Sequence, residues 1–193
     1  MKKIVIRLSK IFYKFFLLIS VGSLLTFLVM KFQKPILKFF YPIEFCDIVS
    51  EASETYGVEK EFIYAIIKCE SGFDPNAKSK ANAIGLMQIT PDTFEWLQKS
   101  HTHKKISLEE LSSPKINIMY GTLLISILRE KYDDEKVALC AYNAGETTTK
   151  RWLNDKNFSL NGKTLNKIPY KETFKYVRRV MSAKKIYKKL YFE

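Results

Sequence analysis

The chain has 193 residues, of which 47% are hydrophobic and 27% charged, and its formal net charge is +12. This composition is typical of one globular domain with enough apolar mass for a core, and it argues against a disordered or repetitive chain. The charge is uneven: residues 1–38 hold eight basic residues and no acid, residues 39–149 have a net charge of −6, and residues 150–193 have +10. The C-terminal end is therefore predicted to form a basic surface.

An uncharged apolar run near the N-terminus, residues 15–30, has five basic residues before it and three soon after it. The run predicts a membrane segment, which flanking lysine side chains can extend. No small-residue cleavage pattern follows it, and no cysteine lies where a lipoprotein needs one, which favours a retained anchor over a cleaved signal peptide. We predict a basic cytoplasmic tail over 1–14, a transmembrane signal-anchor over 15–32, a tether over 33–46, and an external domain over 47–193.

After the tether the hydrophobic pattern is helical almost throughout, which predicts an all-α domain. Helix-capping and proline signals place the helices at 47–56, 59–71, 91–96, 114–132, 135–144, 148–153 and 171–191. The helix from Pro114 is predicted to bury one stripe, made of Ile116, Tyr120, Leu123 and Ile127. The last helix is predicted to direct Phe174, Val177 and Met181 inward.

Residues 76–89 break this pattern, because they are rich in small and polar side chains and predict a loop or small hairpin. Asn82 suits a left-handed turn position, and Gly85 permits close backbone approach to a ligand.

Glu70, near the end of the second domain helix, shares a face with Ile63 and Ile67 at spacings i, i+4 and i+7. Burial of that face would raise the carboxyl pKa toward neutrality and make Glu70 a candidate general acid. The alternative is a helix-end carboxylate that points into water.

The cysteines and histidines predict no further chemistry. There are three cysteines, Cys46, Cys69 and Cys140, and an odd number defines no disulfide framework. Cys69 and Cys140 lie in apolar helical runs, where we predict that they are small buried hydrophobic residues. His101 and His103 lie in a polar stretch that predicts a surface loop. Two histidines could face one metal, but no third ligand is in view, so we predict no metal site and no cofactor.

Five sequence blocks follow one another along about residues 47–182: Glu70-Ser71-Gly72-Phe73-Asp74-Pro75-x-Ala77-x-Ser79, Gly85-Leu86-Met87-Gln88-x-x-Pro91-x-Thr93, Asn117-Ile118-x-Tyr120-Gly121, Ala141-Tyr142-Asn143-Ala144-Gly145 and Ile168-Pro169-Tyr170-x-Glu172-Thr173-x-x-Tyr176-Val177. Together they resemble the soluble lytic transglycosylase family, also called the SLT domain, which is similar to glycoside hydrolase family 23. That family usually has a glycine where this chain has Asn82.

The resemblance implies an all-α, lysozyme-like fold with a small irregular or hairpin segment beside the active site, here joined to one N-terminal transmembrane helix. It implies cleavage of the β-1,4 bond between N-acetylmuramic acid and N-acetylglucosamine in peptidoglycan, with a 1,6-anhydromuramyl product. Glu70 would act as general acid and then as base toward the sugar's own C6 hydroxyl, so no second carboxylate is needed. Asp74, the nearest candidate for a second carboxylate, is predicted to cap a turn.

The resemblance also implies substrate-binding roles for Ser79, Met87, Gln88, Tyr142, Asn143 and Glu172, with Tyr142 close enough to orient Glu70. Plainer roles stay open for most of them. Met87 and Tyr142 would then be core residues, Ser79 and Gln88 surface polar groups, and Glu172 an exposed first-turn acid stabilised by the helix dipole.

The implied protein is a single-pass enzyme of the bacterial cell membrane whose catalytic domain is extracytoplasmic and acts on peptidoglycan glycan strands. The basic C-terminal helix either attracts anionic wall polymers or lipid headgroups, or is simply solvated. The export segment argues against nucleic acid as a partner. Two other functions stay open on this fold: a lysozyme-type muramidase, and a non-catalytic protein of wall binding or assembly.

Overall fold

The computed structural model describes residues 2–102 and 105–193, and the chain divides between Pro42 and Ile43 into two compact units. In the first unit one helix, α1, runs over Lys2–Phe40. Its segment Phe12–Phe40 has 29 residues and includes an 18-residue stretch of mean hydropathy 2.1, so it is long and apolar enough to cross a membrane. The helix continues through Pro35, so residues 33–40 of the predicted tether are helical and the irregular connection is shorter than predicted.

Over residues 43–102 and 105–193 the second unit is helical with almost no strand, which confirms the predicted all-α class. Its α-helices are α2 (Cys46–Tyr56), α3 (Lys60–Glu70), α4 (Pro91–Leu97), α5 (Pro114–Lys131), α6 (Glu135–Ala144), α7 (Glu146–Asn154) and α8 (Lys171–Tyr187). Short π-helical turns at Gln98–Thr102 and Lys188–Phe192 and a 3-10 turn at Glu109–Ser112 complete it. The predicted hairpin is confirmed as two isolated antiparallel bridges, from Ile84 to Lys78 and to Ile89.

Local capping signals account for several helix ends. Gly57 ends α2 in the left-handed conformation, with φ of 65°. The side chain of Thr90 accepts a hydrogen bond from the Thr93 backbone N–H at the start of α4, and Asp134 caps α6 in the same way. Ser113 precedes α5 as predicted, but its side chain makes no capping hydrogen bond.

Helix α3 is the centre of the core. Six consecutive residues, Phe62 to Ile67, are buried, so the helix is apolar all round and not on one face as predicted. It packs against α8 and α2, while α5 packs between α2 and α6. The end of α3 therefore emerges from the middle of the core, and that end carries Glu70.

Two predicted inward stripes are wrong. On α5 only Tyr120 of the predicted four is buried, and the buried face instead includes Asn117, Ile118 and Ile125. On α8 Val177 is buried, but Phe174 is exposed and Met181 is half-buried. The predicted stripes fail because tertiary neighbours, and not the local pattern alone, select the covered face.

The three cysteines are free thiols. Cys140 is fully buried, which confirms its predicted role as a small hydrophobic residue, whereas Cys69 is half-buried and Cys46 is exposed.

Candidate active site

Glu70 is the last residue of α3, at the point where the buried helix gives way to a loop. Its side chain is half-buried, and loss of solvation raises the pKa of its carboxyl to about 7. The hydroxyl of Tyr176 and the positive charge of Arg179, both on α8, act in the opposite direction and lower that pKa. Burial dominates, so the predicted pKa near neutrality is confirmed and the alternative of a fully solvated carboxylate is wrong.

The tyrosine hydroxyl that acts on Glu70 belongs to Tyr176, not to Tyr142. The buried Tyr176 hydroxyl makes no hydrogen bond of standard geometry within the described residues, so its polar contact with the Glu70 carboxyl is a weak one. Burial raises the pKa of Tyr142, and the nearby charge of Glu70 raises it further. Its hydroxyl, however, donates to the Met87 carbonyl oxygen at 2.7 Å. Tyr142 therefore supports the loop beside Glu70, and the hydroxyl that contacts the Glu70 carboxyl is that of Tyr176.

The active-site loop, residues 71–89, has an unusual backbone. Phe73, Asn82 and Gln88 have φ values of 74°, 59° and 51°, which residues with a side chain rarely adopt. The left-handed conformation predicted for Asn82 is thus confirmed. Such conformations persist only where the surrounding structure holds them, and they concentrate at functional sites.

Side chains within the active-site loop hold it in place. The Ser71 hydroxyl donates to the Leu86 carbonyl oxygen at 2.9 Å, which ties the residue after Glu70 to the far side of the loop. The Gln88 side-chain amide donates to the carbonyl oxygens of Ala77 and Gly85 at 3.1 and 3.0 Å.

Asn117 of α5 joins the active-site loop to the core. Its buried side-chain oxygen accepts from the Met87 N–H at 2.7 Å, and its amide nitrogen donates to the carbonyl oxygens of Ile84 and Leu111 at 2.8 and 2.9 Å. A Cβ at Gly85 would lie 2.4 Å from the Asn117 amide nitrogen. Gly85 therefore makes room for Asn117, and the predicted close approach is to a side chain rather than to a ligand.

The profile of one protein family, the Transglycosylase SLT domain, matches residues 47–164. The chain belongs to this family. Its SLT domain holds Glu70, the active-site loop, Asn117 and Tyr142, while Tyr176 on α8 lies beyond the matched residues.

Two sequence relatives and two solved structures illustrate the similarity. The chain is 28% identical to the soluble lytic murein transglycosylase of Salmonella typhimurium (77% of this chain, 23% of that protein) and 30% identical to the membrane-bound lytic murein transglycosylase C of Pectobacterium atrosepticum (76% and 47%). It superposes with a TM-score of 0.69 on the lytic transglycosylase Slt of Pseudomonas aeruginosa, solved as an inactive glutamate-to-glutamine mutant (28% identical, 79% and 25% covered). It superposes with a TM-score of 0.70 on the 70 kDa soluble lytic transglycosylase of Escherichia coli, to which it is 25% identical; the match covers 79% of this chain and 25% of that protein. The chain thus spans between about a quarter and about half of the length of these relatives.

Besides the half-buried Tyr142, three of the predicted substrate-binding residues in the SLT domain are open to solvent at least in part. Ser79 is exposed, and its hydroxyl oxygen accepts from the N–H groups of Ala81 and Ala83, both at 3.1 Å, which leaves its proton for another acceptor. Gln88 and Asn143 are half-buried. The Gln88 amide nitrogen is already engaged in the loop, so its side-chain oxygen is the atom left for a ligand.

Met87 does not line an open surface. Its side chain has no exposed area, and the Thr122 hydroxyl lies 3.9 Å from its sulfur. A Cβ at Gly121 would lie 2.5 Å from that sulfur, so Gly121 makes room for it. The predicted contact between the Met87 side chain and substrate is therefore wrong, and the alternative of a core residue describes Met87.

Glu172 lies beyond the family match, exposed in the first turn of α8. That position suits both an acid that faces the cleft and an acid that complements the helix dipole, so its role stays a prediction. Asp74 accepts a hydrogen bond from the Asn76 N–H at 2.9 Å, which confirms the predicted turn-capping role.

Sequence reasoning missed four residues that organise the site: Ser71, Asn117, Tyr176 and Arg179. The first three stand in the sequence blocks quoted above, so their positions were visible but their contacts were not. Arg179 carried no signal beyond its place on the basic face of the last helix.

Within the described residues, no group of three His, Cys, Asp or Glu side chains is arranged to hold a metal ion. His101 packs edge-on against Trp96, with ring centroids 5.0 Å apart. His103 lies outside the described residues, so the two-histidine hypothesis is not addressed.

Proposed function

We propose that this protein is a lytic transglycosylase that cleaves the β-1,4 bond between N-acetylmuramic acid and N-acetylglucosamine in peptidoglycan and forms 1,6-anhydromuramyl ends. The observation that carries the proposal is Glu70, whose carboxyl pKa of about 7 leaves a large protonated fraction near neutral pH. Membership of the SLT domain family and the lytic murein transglycosylases among its relatives support the substrate class.

In the first step the protonated Glu70 donates its proton to the glycosidic oxygen. The bond from C1 of the muramic acid to that oxygen breaks, and the N-acetylglucosamine leaves with a new hydroxyl group. Positive charge develops at C1 and the ring oxygen, beside a carboxylate that has just become negative. Burial favours this step, because the desolvated carboxyl is a proton donor at a pH where an exposed glutamate is ionised.

In the second step the Glu70 carboxylate accepts the proton of the C6 hydroxyl of the same muramic acid. The C6 oxygen forms a bond to C1 and closes the 1,6-anhydro ring, and Glu70 returns to its protonated state. No water is consumed, so protons balance over the two steps with one carboxyl group. An intramolecular nucleophile is already held near C1, which removes the need for a second carboxylate that activates water.

We propose that the glycan contacts the exposed hydroxyl of Ser79, the side-chain oxygen of Gln88, and the side chains of Asn143 and Glu172. The resemblance to the family and the solvent-accessible positions of these residues support this assignment. Tyr142 is proposed to contact a sugar face while its hydroxyl holds the Met87 carbonyl.

Mass spectrometry of digested sacculi tests the reaction. Purified full-length protein in detergent should release muropeptides with 1,6-anhydro ends, and Glu70→Gln should release none. Muropeptides with reducing muramic acid ends would instead identify a muramidase. A Glu70→Gln variant that still clears peptidoglycan would exclude Glu70 as the acid. A parent protein that binds sacculi but releases no muropeptides would leave wall binding as its function.

We also propose that α1 retains the protein at the cell membrane with the SLT domain on the external side. The apolar segment Phe12–Phe40 supports a span, and the excess of basic residues before it supports a cytoplasmic N-terminus. The basic region 150–193, with its net charge of +10, would then face anionic wall polymers or lipid headgroups.

Thiol labelling tests this orientation, because Cys46 is exposed at the start of α2. A membrane-impermeant maleimide should label the protein in intact spheroplasts, and Cys46→Ser should abolish most of the signal. Labelling only after permeabilisation would contradict the external placement, and a shortened product in the soluble fraction would contradict a retained anchor.

A further inference from the structure

A groove of about 560 Å³ lies on α8, where the start of α6 and the loop 165–170 border the helix. Apolar side chains line it, among them Ile168, Phe174 and Met181. Phe174 is 43% exposed, so this aromatic ring faces solvent in a position where the sequence predicts burial. Basic side chains also line the groove, namely Lys136, Lys167, Lys171 and Arg178, and we call it the basic groove. The proposed reaction makes no use of it.

Helix geometry separates the basic groove from Glu70. Tyr176 and Arg179 are the α8 residues that act on Glu70, whereas Phe174 and Arg178 line the groove. Successive residues of an α-helix advance by about 100°, so these two pairs lie about 150° apart around α8. The groove is therefore a second surface of the helical unit 43–193 and not an extension of the catalytic carboxyl's surroundings.

The lining of the groove carries positive charge without compensation. Lys136, Lys167, Lys171 and Arg178 are exposed, and the described residues that line the groove include no carboxylate. Lys171 opens α8, at the positive end of the helix dipole, where a cation is unfavourable for the helix itself. The Arg178 guanidinium lies 5.6 Å from the centre of the Phe174 ring, so charge and apolar surface are adjacent.

The wall of the groove is held in position by the turn before it. The backbone N–H of Asn166 donates to the Phe158 carbonyl oxygen at 2.9 Å, and the Asn166 side-chain oxygen accepts from the Leu160 N–H at 3.1 Å. Hydrogen bonds within the chain thus hold the groove wall in place, which reduces the ordering cost of binding.

The spacing of the charges selects an extended ligand with more than one anionic group. Lys171 and Arg178 are seven residues apart, which is about 10 Å along a helix axis. An extended peptide rises about 3.3 Å per residue, so carboxylates about three residues apart reach both cations while an apolar side chain between them covers Phe174. A single phosphate headgroup reaches one end of the groove and leaves the other unpaired.

We propose that the basic groove binds the acidic stem peptide attached to the wall glycan, and this inference rests on the proposed function. A stretched five-residue peptide spans about 17 Å, whereas a helix with its side chains is about 10–12 Å across. A stem peptide on a sugar near Glu70 can therefore pass around α8 to the groove. The groove contributes affinity for peptide-bearing strands and takes no part in bond cleavage.

Calorimetry of the full-length Glu70→Gln protein in detergent tests binding without turnover. The probe is a free stem pentapeptide with its carboxylates intact. The groove variant Lys167→Gln/Lys171→Gln/Arg178→Gln should bind this peptide at least tenfold more weakly than the parent. Absence of binding to the parent, or equal binding to the variant, overturns the proposal.

The matched control removes three positive charges elsewhere, as Lys156→Gln/Lys163→Gln/Lys189→Gln. These lysines are exposed and are not among the residues that line the groove. The control should bind the peptide within about twofold of the parent at an unchanged melting temperature. An equal loss in the control would show attraction to net charge alone and overturn the site. Tighter, groove-dependent binding of soluble dihexanoyl phosphatidylglycerol would overturn the peptide in favour of a lipid.

Kinetics separate this proposal from the proposed function. With Glu70 intact, the groove variant should raise KM for peptide-bearing strands and leave kcat unchanged, and it should leave both constants unchanged on strands stripped of peptides by an amidase. Equal effects on both substrates contradict a peptide site. If neither strand is cleaved while the calorimetric difference persists, the proposed reaction fails and the peptide site stands.

Discussion

Replacing Tyr176 by phenylalanine removes a hydroxyl that favours the ionised form of Glu70. Because this hydroxyl lowers the Glu70 pKa, its loss raises that pKa. The contact is weaker than a standard hydrogen bond, so we expect a rise of about 0.7 of a unit, equivalent to about 1 kcal/mol. A buried hydroxyl without a full hydrogen bond contributes little to stability, and the melting temperature of Tyr176→Phe should be unchanged or slightly higher.

The rise extends activity to higher pH, since the reaction begins from protonated Glu70. With a pKa of about 7, the protonated fraction at pH 8 is about a tenth of that at pH 6. With a pKa about 0.7 higher, the protonated fraction at pH 8 is about a third of that at pH 6. The ratio of kcat/KM at pH 8 to that at pH 6, measured on solubilised glycan strands, should rise from about 0.1 to about 0.3. A ratio that stays at the parent value or falls refutes the role given to Tyr176.

Tyr142→Phe is the matched control for this measurement. It also removes one buried tyrosine hydroxyl, but that hydroxyl donates to the Met87 carbonyl at 2.7 Å. Its loss leaves the carbonyl without this partner and should cost about 1–3 kcal/mol of stability. The alkaline limb of the pH profile should not move. A shift of the same size in both variants would show that loosening of the loop, and not the Tyr176 hydroxyl, alters Glu70.

Glu70→Gln should stabilise the protein, because the folded-state pKa of about 7 exceeds the ordinary value of 4.5 and the parent loses stability as the pH rises between these two values. In denaturant titrations the gain in the free energy of unfolding should reach about 1–3 kcal/mol at pH 8 and be smaller at pH 5. A gain that is independent of pH would contradict the raised pKa of Glu70. Asn117→Ala should lower the free energy of unfolding by about 3–5 kcal/mol and reduce activity, because three buried hydrogen bonds to the loop and core are lost. Thr122→Val, which removes a 3.9 Å contact to the Met87 sulfur, is its near-neutral control. Gly121→Ala should cost about 1–3 kcal/mol, since the new Cβ would lie 2.5 Å from that sulfur; thermal melting at the parent temperature would contradict this packing.

Helix positions follow from local chemistry, and this part of the fold was predictable. Gly57, Thr90 and Asp134 end or begin helices through contacts within a few residues of themselves. The buried faces were less predictable, because α5 is covered by α2 on one side and α6 on the other. Its fully buried residues therefore include a polar one, Asn117, that no hydrophobic pattern selects.

The candidate acid was predictable, but its surroundings were not. Glu70 stands at the end of an apolar helix and in a sequence block, and both signals come from neighbouring residues. The blocks hold four tyrosines, and two of them, Tyr142 and Tyr176, lie near Glu70. Which hydroxyl acts on the carboxyl depends on how α8 packs against α3, and these helices are about a hundred residues apart in the chain. Met87 was misassigned for the same reason, since Gly121 of α5 opens the space that buries it.

The central claim is that the C6 hydroxyl of the substrate, and not water, attacks C1 after Glu70 has protonated the leaving oxygen. Digestion of purified glycan strands by the full-length protein in water enriched in oxygen-18 tests this directly, with mass spectrometry of the new muramic acid ends. The account predicts 1,6-anhydro ends without oxygen-18 in the parent and no new ends with Glu70→Gln. Reducing ends that carry oxygen-18 at C1 would contradict it.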